Sequence, residues 1–186
     1  MSQATNMTDQ LPLAWPSYIA GEQVQSDDTL EVRYPWDGSL TGTLPKITPE
    51  QLEQAIAAAL GQVQPPTKNE RYEILMRARE LLAKRTDEFA NLIRLEAGLC
   101  MRETRYEVGR AQEVFKFAAA EALRDDESIF SCDAAKNGPA RKIFTLREPL
   151  SLVAAITPFN HPLNQVAHKL APAIAAGVPV LLKPSS

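Results

Sequence analysis

Two almost wholly apolar runs, residues 150–156 and 178–182, flank a stretch with helical spacing, and this arrangement constrains the fold most. Runs of that length without polar alternation suit strands covered on both faces, which is the usual condition of a parallel sheet. Parallel neighbours need a crossover of a dozen or more residues. Pro162 to Ala176 provides it, interrupted near Pro172 and ended by Gly177. The expected class is α/β, with residues 149–186 forming the first strand–helix–strand unit of a nucleotide-binding sheet and stopping after its second parallel strand.

Upstream, residues 1–14 read as a flexible arm. Tyr18-Ile19-Ala20-Gly21-Glu22, Leu30-Glu31-Val32-Arg33-Tyr34 and residues 42–47 are short extended pieces between Gly, Pro and Asp turns, a small antiparallel region. Thr48-Pro49-Glu50-Gln51 has the form of a capping box, and Leu52, Ile56, Ala59 and Leu60 then recur at helical spacing up to Gly61. Thr67-Lys68-Asn69-Glu70 repeats the box, with Ile74, Leu75, Ala78, Leu81 and Leu82 on one apolar face. A third helix is expected from Thr86 to Gly98, directing Phe89, Leu92, Ile93 and Leu95 inward, and a fourth from Arg102 to Leu123. Residues 15–126 thus form a region of strands and helices. Residues 127–148 change to a strand pattern around the turn Lys136-Asn137-Gly138-Pro139, a protruding hairpin. Its strands read as alternating polar and apolar, so one face requires cover, and a second subunit is the expected source.

Composition narrows the function. Twenty Lys and Arg stand against 23 Asp and Glu, scattered along the helices, so no nucleic-acid footprint is visible. The two cysteines, Cys100 and Cys132, have neither Cys-x-x-Cys spacing nor a histidine cluster, which points away from a metal site and toward a reduced, cytoplasmic setting. No signal peptide is recognisable in the polar first ten residues, and glycine and proline break the longest apolar run too early for a membrane span.

Ligands of open α/β sheets bind beyond the carboxyl ends of the strands. That edge here carries Thr157 to His161 and Lys183 to Ser186. Neither Gly-x-Gly-x-x-Gly nor Gly-x-x-x-x-Gly-Lys-Ser/Thr occurs, which excludes both standard phosphate loops. Asn160 reads as a helix N-cap preceding Pro162, or as a ligand. His161 has the same two readings, whereas His168 reads as a packed or solvated helix residue. Lys183 would bring its ammonium to the ligand edge, toward sugar hydroxyls or phosphate, or end a strand in solvent.

Ile156-Thr157-Pro158-Phe159-Asn160-His161-Pro162, followed by Leu182-Lys183-Pro184-Ser185, resembles the aldehyde dehydrogenase superfamily, and Leu95-Glu96-Ala97-Gly98 extends the likeness upstream. The resemblance covers the chain from about Trp15. It implies the N-terminal helices and the start of a Rossmann-like cofactor domain, with an oligomerisation hairpin. By that resemblance Asn160 stabilises the oxyanion formed when a cysteine thiolate attacks an aldehyde. Ile156, Thr157, Pro158 and Phe159 line the cofactor cleft, Lys183 holds the ribose hydroxyls, and Ser185 and Ser186 lie beside them. The cofactor implied is NAD; Ser186 stands where the family often has Glu, so NADP stays open. Tyr106-Glu107-Val108-Gly109-Arg110, Phe130-Ser131-Cys132-Asp133 and Phe159-Asn160-His161-Pro162-Leu163-Asn164-Gln165 are most similar to the phosphonoacetaldehyde branch, which implies an anionic aldehyde as substrate.

Arg110 shares a helix stripe with Tyr106, Val114 and Phe117, a cation on an otherwise apolar face that needs a partner. Glu96 or another acid in an ion pair would serve, as would a snorkelling route to water; the resemblance instead places Arg110 and His161 at the substrate's phosphonate. The family's nucleophile, general base and pyrophosphate-binding glycine turn fall after Lys-Pro-Ser, beyond this sequence. Cys100 follows a helix-ending glycine, and Cys132 stands beside Asp133, whose charge works against a thiolate. Neither replaces the nucleophile. The expected function is the N-terminal part of an NAD(P)-dependent aldehyde dehydrogenase acting as a homo-oligomer, inactive alone. A non-catalytic nucleotide-binding module and an interaction piece docking through the hairpin remain as alternatives.

Overall fold

A computed structural model describes residues 14–62 and 64–185. Most of the expected N-terminal arm, and Ser186, lie outside the described residues. The first elements are two antiparallel hairpins. In β1 (Ser17–Ile19) and β2 (Glu22–Val24), Ala20 and Gly21 both take positive φ, the turn backbone that matches strand twist. β3 (Thr29–Arg33) pairs with β4 (Leu40–Pro45), with a register shift at Val32/Arg33.

Both capping boxes form. Thr48 Oγ1 accepts the Gln51 N–H while Gln51 Oε1 accepts the Thr48 N–H, opening α1 (Pro49–Leu60). Thr67 and Glu70 repeat the exchange at α2 (Lys68–Lys84). α3 (Thr86–Ala97) ends at Gly98 in the left-handed conformation, and α4 (Met101–Ala122) follows. α1 buries no residue, and its Leu52 and Leu60 are exposed.

The core is helical, with α4 packed against α2, α3 and α5 (Pro162–Ala176). One cluster gathers Leu82, Ala90, Ile93, Val108, Ala111 and Ala167; another gathers Leu75, Ala118, Ala119, Ala122 and Ala171. The alanines explain the close packing, since small side chains let helix axes approach. On α2 the covered positions are Leu75 and Leu82, while Ile74 and Leu81 turn outward. That stripe is narrower than the five apolar residues suggest.

α5 runs through Pro172 without the expected interruption. A proline removes one helical N–H and crowds the preceding turn. Pro172 is exposed and lines an open groove with Val114, Phe117 and His168, which leaves its ring room. Gly177 then ends the helix at φ +76, the Val178 N–H reaching back to the Ala173 carbonyl. A Cβ there would come within 2.3 Å of Arg71 Nη1, the movable end of a long side chain, and 3.1 Å of Pro65 Cβ, so glycine is favoured by conformation and, to a lesser degree, by contact.

β7 (Val153–Ile156) and β8 (Val180–Lys183) pair in parallel, from Val153 opposite Val180 to Ile156 opposite Lys183. Both strands begin later than the apolar runs, and the expectation of burial on both faces is not met. Ala155 is buried, but Leu150 and Ile156 are each 68% exposed and Leu182 is exposed too. α5 packs against both strands and α1 reaches β8, which is too little cover for a two-stranded sheet. The hairpin β5 (Ile129–Ser131) and β6 (Lys142–Phe144) also differs from its expectation. Its register sets Ile129 opposite Phe144 and Phe130 opposite Ile143, so successive apolar pairs face opposite sides. All four side chains are exposed.

Candidate functional site

The carboxyl ends of β7 and β8 bring the two candidate segments side by side. The Thr157 N–H donates to the Lys183 carbonyl at 3.2 Å, extending the ladder one step past β7. Thr157 is buried, while Ile156, Pro158, Phe159 and Asn160 are exposed around it. Lys183 emerges at the same edge, its Nζ donating to the Pro184 carbonyl at 2.9 Å, with no carboxylate paired to it among the described residues. Ser185 is half-buried beside it. The edge is therefore an apolar rim of Ile156 and Phe159 with an amide, an imidazole and an ammonium along it.

Asn160 does not cap α5. His161 occupies the N-cap position, at φ −147 and ψ 74, and no side chain of the turn bonds the helix's first N–H groups. The first turn of α5 has no acidic residue either. The cap comes from α4 instead: Glu107 Oε1 accepts the Leu163 and Asn164 N–H groups, each at 2.9 Å. Glu107 is 2% exposed, and a carboxylate at a helix N-terminus gains from both hydrogen bonds and the helix dipole. Its Oε2 lies 3.5 Å from His161 Nδ1. The Asn160-His161 turn is thus anchored from behind by a residue 53 positions earlier than Asn160, and the Asn160 side chain is left exposed at the edge.

Glu107 is the site residue that the spacing analysis did not single out. The signal was available. Thr104, Glu107, Val108 and Ala111 form one buried stripe of α4, and a lone carboxylate on such a stripe requires donors. A helix that begins with proline and lacks a capping side chain has donors to offer.

Arg110 lies one turn beyond Glu107 and is exposed. The expected pair with Glu96 is absent, and Arg110 has no ion pair or hydrogen bond among the described residues. Tyr106 and Phe117, its stripe partners, are exposed as well, so the guanidinium stands on a solvent-facing surface and no buried charge arises. Cys100 occupies the N-cap position of α4 and is exposed; Cys132 is half-buried in the hairpin segment. Among the described residues no group of three or more His, Cys, Asp or Glu is placed to hold a metal, and no helix is long and apolar enough to cross a membrane.

Comparison with known proteins places this geometry. The sequence pattern of the aldehyde dehydrogenase family matches residues 22–186. A 3-sulfolactaldehyde dehydrogenase of Priestia aryabhattai is 37% identical over 169 residues, which are 90% of this chain and 35% of that protein. Aspartate-semialdehyde dehydrogenase 1 of Pseudomonas canavaninivorans is 40% identical over 84% of this chain and 34% of its own length. Among solved structures, aldehyde dehydrogenase 21 from Physcomitrella patens, in complex with the reaction product succinate, superposes at a TM-score of 0.86 with 29% identity, covering 94% of this chain and 37% of that one. NADP-dependent glyceraldehyde-3-phosphate dehydrogenase from Bacillus halodurans, complexed with NADP, gives a TM-score of 0.83 with 31% identity, over 90% of this chain and 36% of that one. The chain spans about a third of the length of the curated relatives it matches.

Proposed function

We propose, because this chain belongs to the aldehyde dehydrogenase family, that it supplies the oxyanion donor, the adenosine side of the cofactor cleft and the substrate's anion-binding groups of an NAD(P)-dependent enzyme oxidising an anionic aldehyde to its acid. The observation that carries this reading is the convergence of Asn160, His161 and Lys183 at one sheet edge, with the turn held from behind by Glu107.

Each residue has a task that its placement fits. The exposed Asn160 amide donates to the oxygen of the attacked aldehyde, which becomes an oxyanion when the thiolate adds; the thiolate comes from outside these residues. Lys183 Nζ, bonded only to the neighbouring carbonyl, turns to the ribose hydroxyls. Ile156, Pro158 and Phe159 offer exposed apolar surface to the cofactor, and Ser185 borders it. NAD(P), when bound, accepts the hydride released from the aldehyde carbon. The bound ligands of relatives fit either cofactor: NADP in the Bacillus halodurans enzyme and NAD+ in betaine aldehyde dehydrogenase from Staphylococcus aureus.

Arg110 and His161 take the anionic end of the substrate, for which a guanidinium free of carboxylate partners is suited. Relatives named for 3-sulfolactaldehyde, aspartate semialdehyde and glutarate semialdehyde act on aldehydes with sulfonate or carboxylate groups, which supports an anionic class. Phosphonoacetaldehyde is the member of that class to which the motifs point. The hairpin, with apolar side chains exposed on both faces, docks on a second copy, making the enzyme a homo-oligomer. The chain by itself is inactive in this reading, and the enzyme works in the cytoplasm.

The test is Asn160→Ala in the full-length enzyme, followed by NAD(P)H formation. Loss of one oxyanion donor should lower kcat by roughly a hundredfold to a thousandfold. An unchanged kcat would remove Asn160 from the chemistry.

A further inference from the structure

An ionised carboxylate only accepts hydrogen bonds. Oε1 of Glu107 takes two of them, from Leu163 and Asn164. Oε2 is buried and takes none among the described residues; the group facing it is His161 Nδ1, 3.5 Å away. A buried carboxylate oxygen without a donor is costly, so the arrangement favours a proton on Nδ1 directed at Oε2. The side chain is 47% exposed, and Nε2 is the ring nitrogen left for a ligand once Nδ1 faces Glu107.

This has a chemical consequence for anion binding. With Nδ1 protonated, a neutral imidazole presents the lone pair of Nε2, which an anion avoids. The doubly protonated ring presents an N–H, and it then lies between two negative groups, the Glu107 carboxylate behind and the ligand in front. Arg110 follows Glu107 by three residues, which makes the two neighbours on the surface of α4. A cation without a carboxylate partner among the described residues therefore lies within a turn of Glu107 along α4.

We propose that Glu107 is a positioning residue that holds His161 through Nδ1, so that the ring binds the substrate's anionic group as an imidazolium Nε2–H donor beside Arg110. This rests on the reading of His161 and Arg110 as ligands of that group. The same carboxylate fixes the N-terminus of α5, so one buried residue sets both the His161 donor and the turn carrying Asn160.

Glu107→Gln keeps an oxygen for the Leu163 and Asn164 N–H groups, but its amide NH2 donates to Nδ1 and inverts the tautomer. In the full-length enzyme, nitrogen-15 spectra of the imidazoles should show His161 protonated at Nδ1 in the wild type and, in the neutral ring of Glu107→Gln, at Nε2 alone. The KM for phosphonoacetaldehyde relative to that for propionaldehyde should rise about tenfold in Glu107→Gln, the difference between a charge-assisted and a neutral hydrogen bond. An unprotonated Nδ1 in the neutral wild-type ring would overturn the proposal. So would an equal rise in both KM values, the mark of a merely structural role. His161→Ala separates this proposal from the reading beneath it. If both aldehydes lose equally in His161→Ala, the anion site is misplaced, and the spectra alone decide whether Glu107 sets the ring.

Discussion

Leu75 and Leu150 are the same side chain in two settings. Leu75 is fully buried where α2 meets α4 and α5, while Leu150 is 68% exposed just before β7. The helices close a core with their own residues. The parallel strands do not, and Ile156, Phe159 and Leu182 join Leu150 at the open surface. The difference teaches that apolar character along a strand is directed toward something other than these helices, and part of the open surface, Ile156 and Phe159, lies at the edge where the polar candidates gather. The core is closed in the helical layer, and the proposed ligand chemistry falls on the incompletely covered one.

That contrast breaks if the two leucines respond alike. Leu75→Ala should destabilise this chain by about 2–5 kcal/mol, the cost of a lost side chain plus the cavity it leaves. Leu150→Ala should stay within about 0.5 kcal/mol, as surface substitutions do. Denaturant unfolding of both variants measures the difference, and equal losses would mean that the sheet is covered as well as the helices are.

Gly177 sharpens the comparison because it joins the two regions, ending α5 and leading to β8. Gly177→Ala should cost about 1–3 kcal/mol from the positive φ. The approach of its Cβ to Arg71 Nη1 and Pro65 adds to that. An unfolding midpoint equal to that of the parent chain would show that the junction adapts without strain.

Much of this division was legible in the sequence. The two capping boxes fixed the starts of α1 and α2, since Thr48 and Thr67 each had a partner three residues on. The strand–helix–strand order followed from two apolar runs and a crossover of sufficient length. The degree of cover was not legible, because an apolar run states that a residue suits burial and does not say which residues provide it. Pro172 was read as a break because sequence carries no measure of the open groove beside it. Asn160 was read as a possible cap for the same reason. The acceptor that α5 needed lay on α4, and only the tertiary fold brings Glu107 to Leu163 and Asn164. The hairpin was assigned one apolar face, whereas Ile129, Phe130, Ile143 and Phe144 fall on both once the register is fixed.

The site's residue types were legible, and their relations were not. Arg110 was read as needing an acid such as Glu96, a route to water or an anionic ligand, and its exposure supplies the second. A guanidinium without an ion pair among the described residues, one turn from the Glu107 that faces His161, is what brings the surface of α4 into the proposed site.

The central claim is that this surface and the sheet edge together hold the anionic end of an aldehyde, and Arg110→Ala tests it most directly. In the full-length enzyme, kcat/KM for phosphonoacetaldehyde divided by that for propionaldehyde should fall roughly 10- to 100-fold, the worth of a hydrogen bond to a charged group. An unchanged ratio, with both substrates losing equally or neither losing at all, would contradict the account.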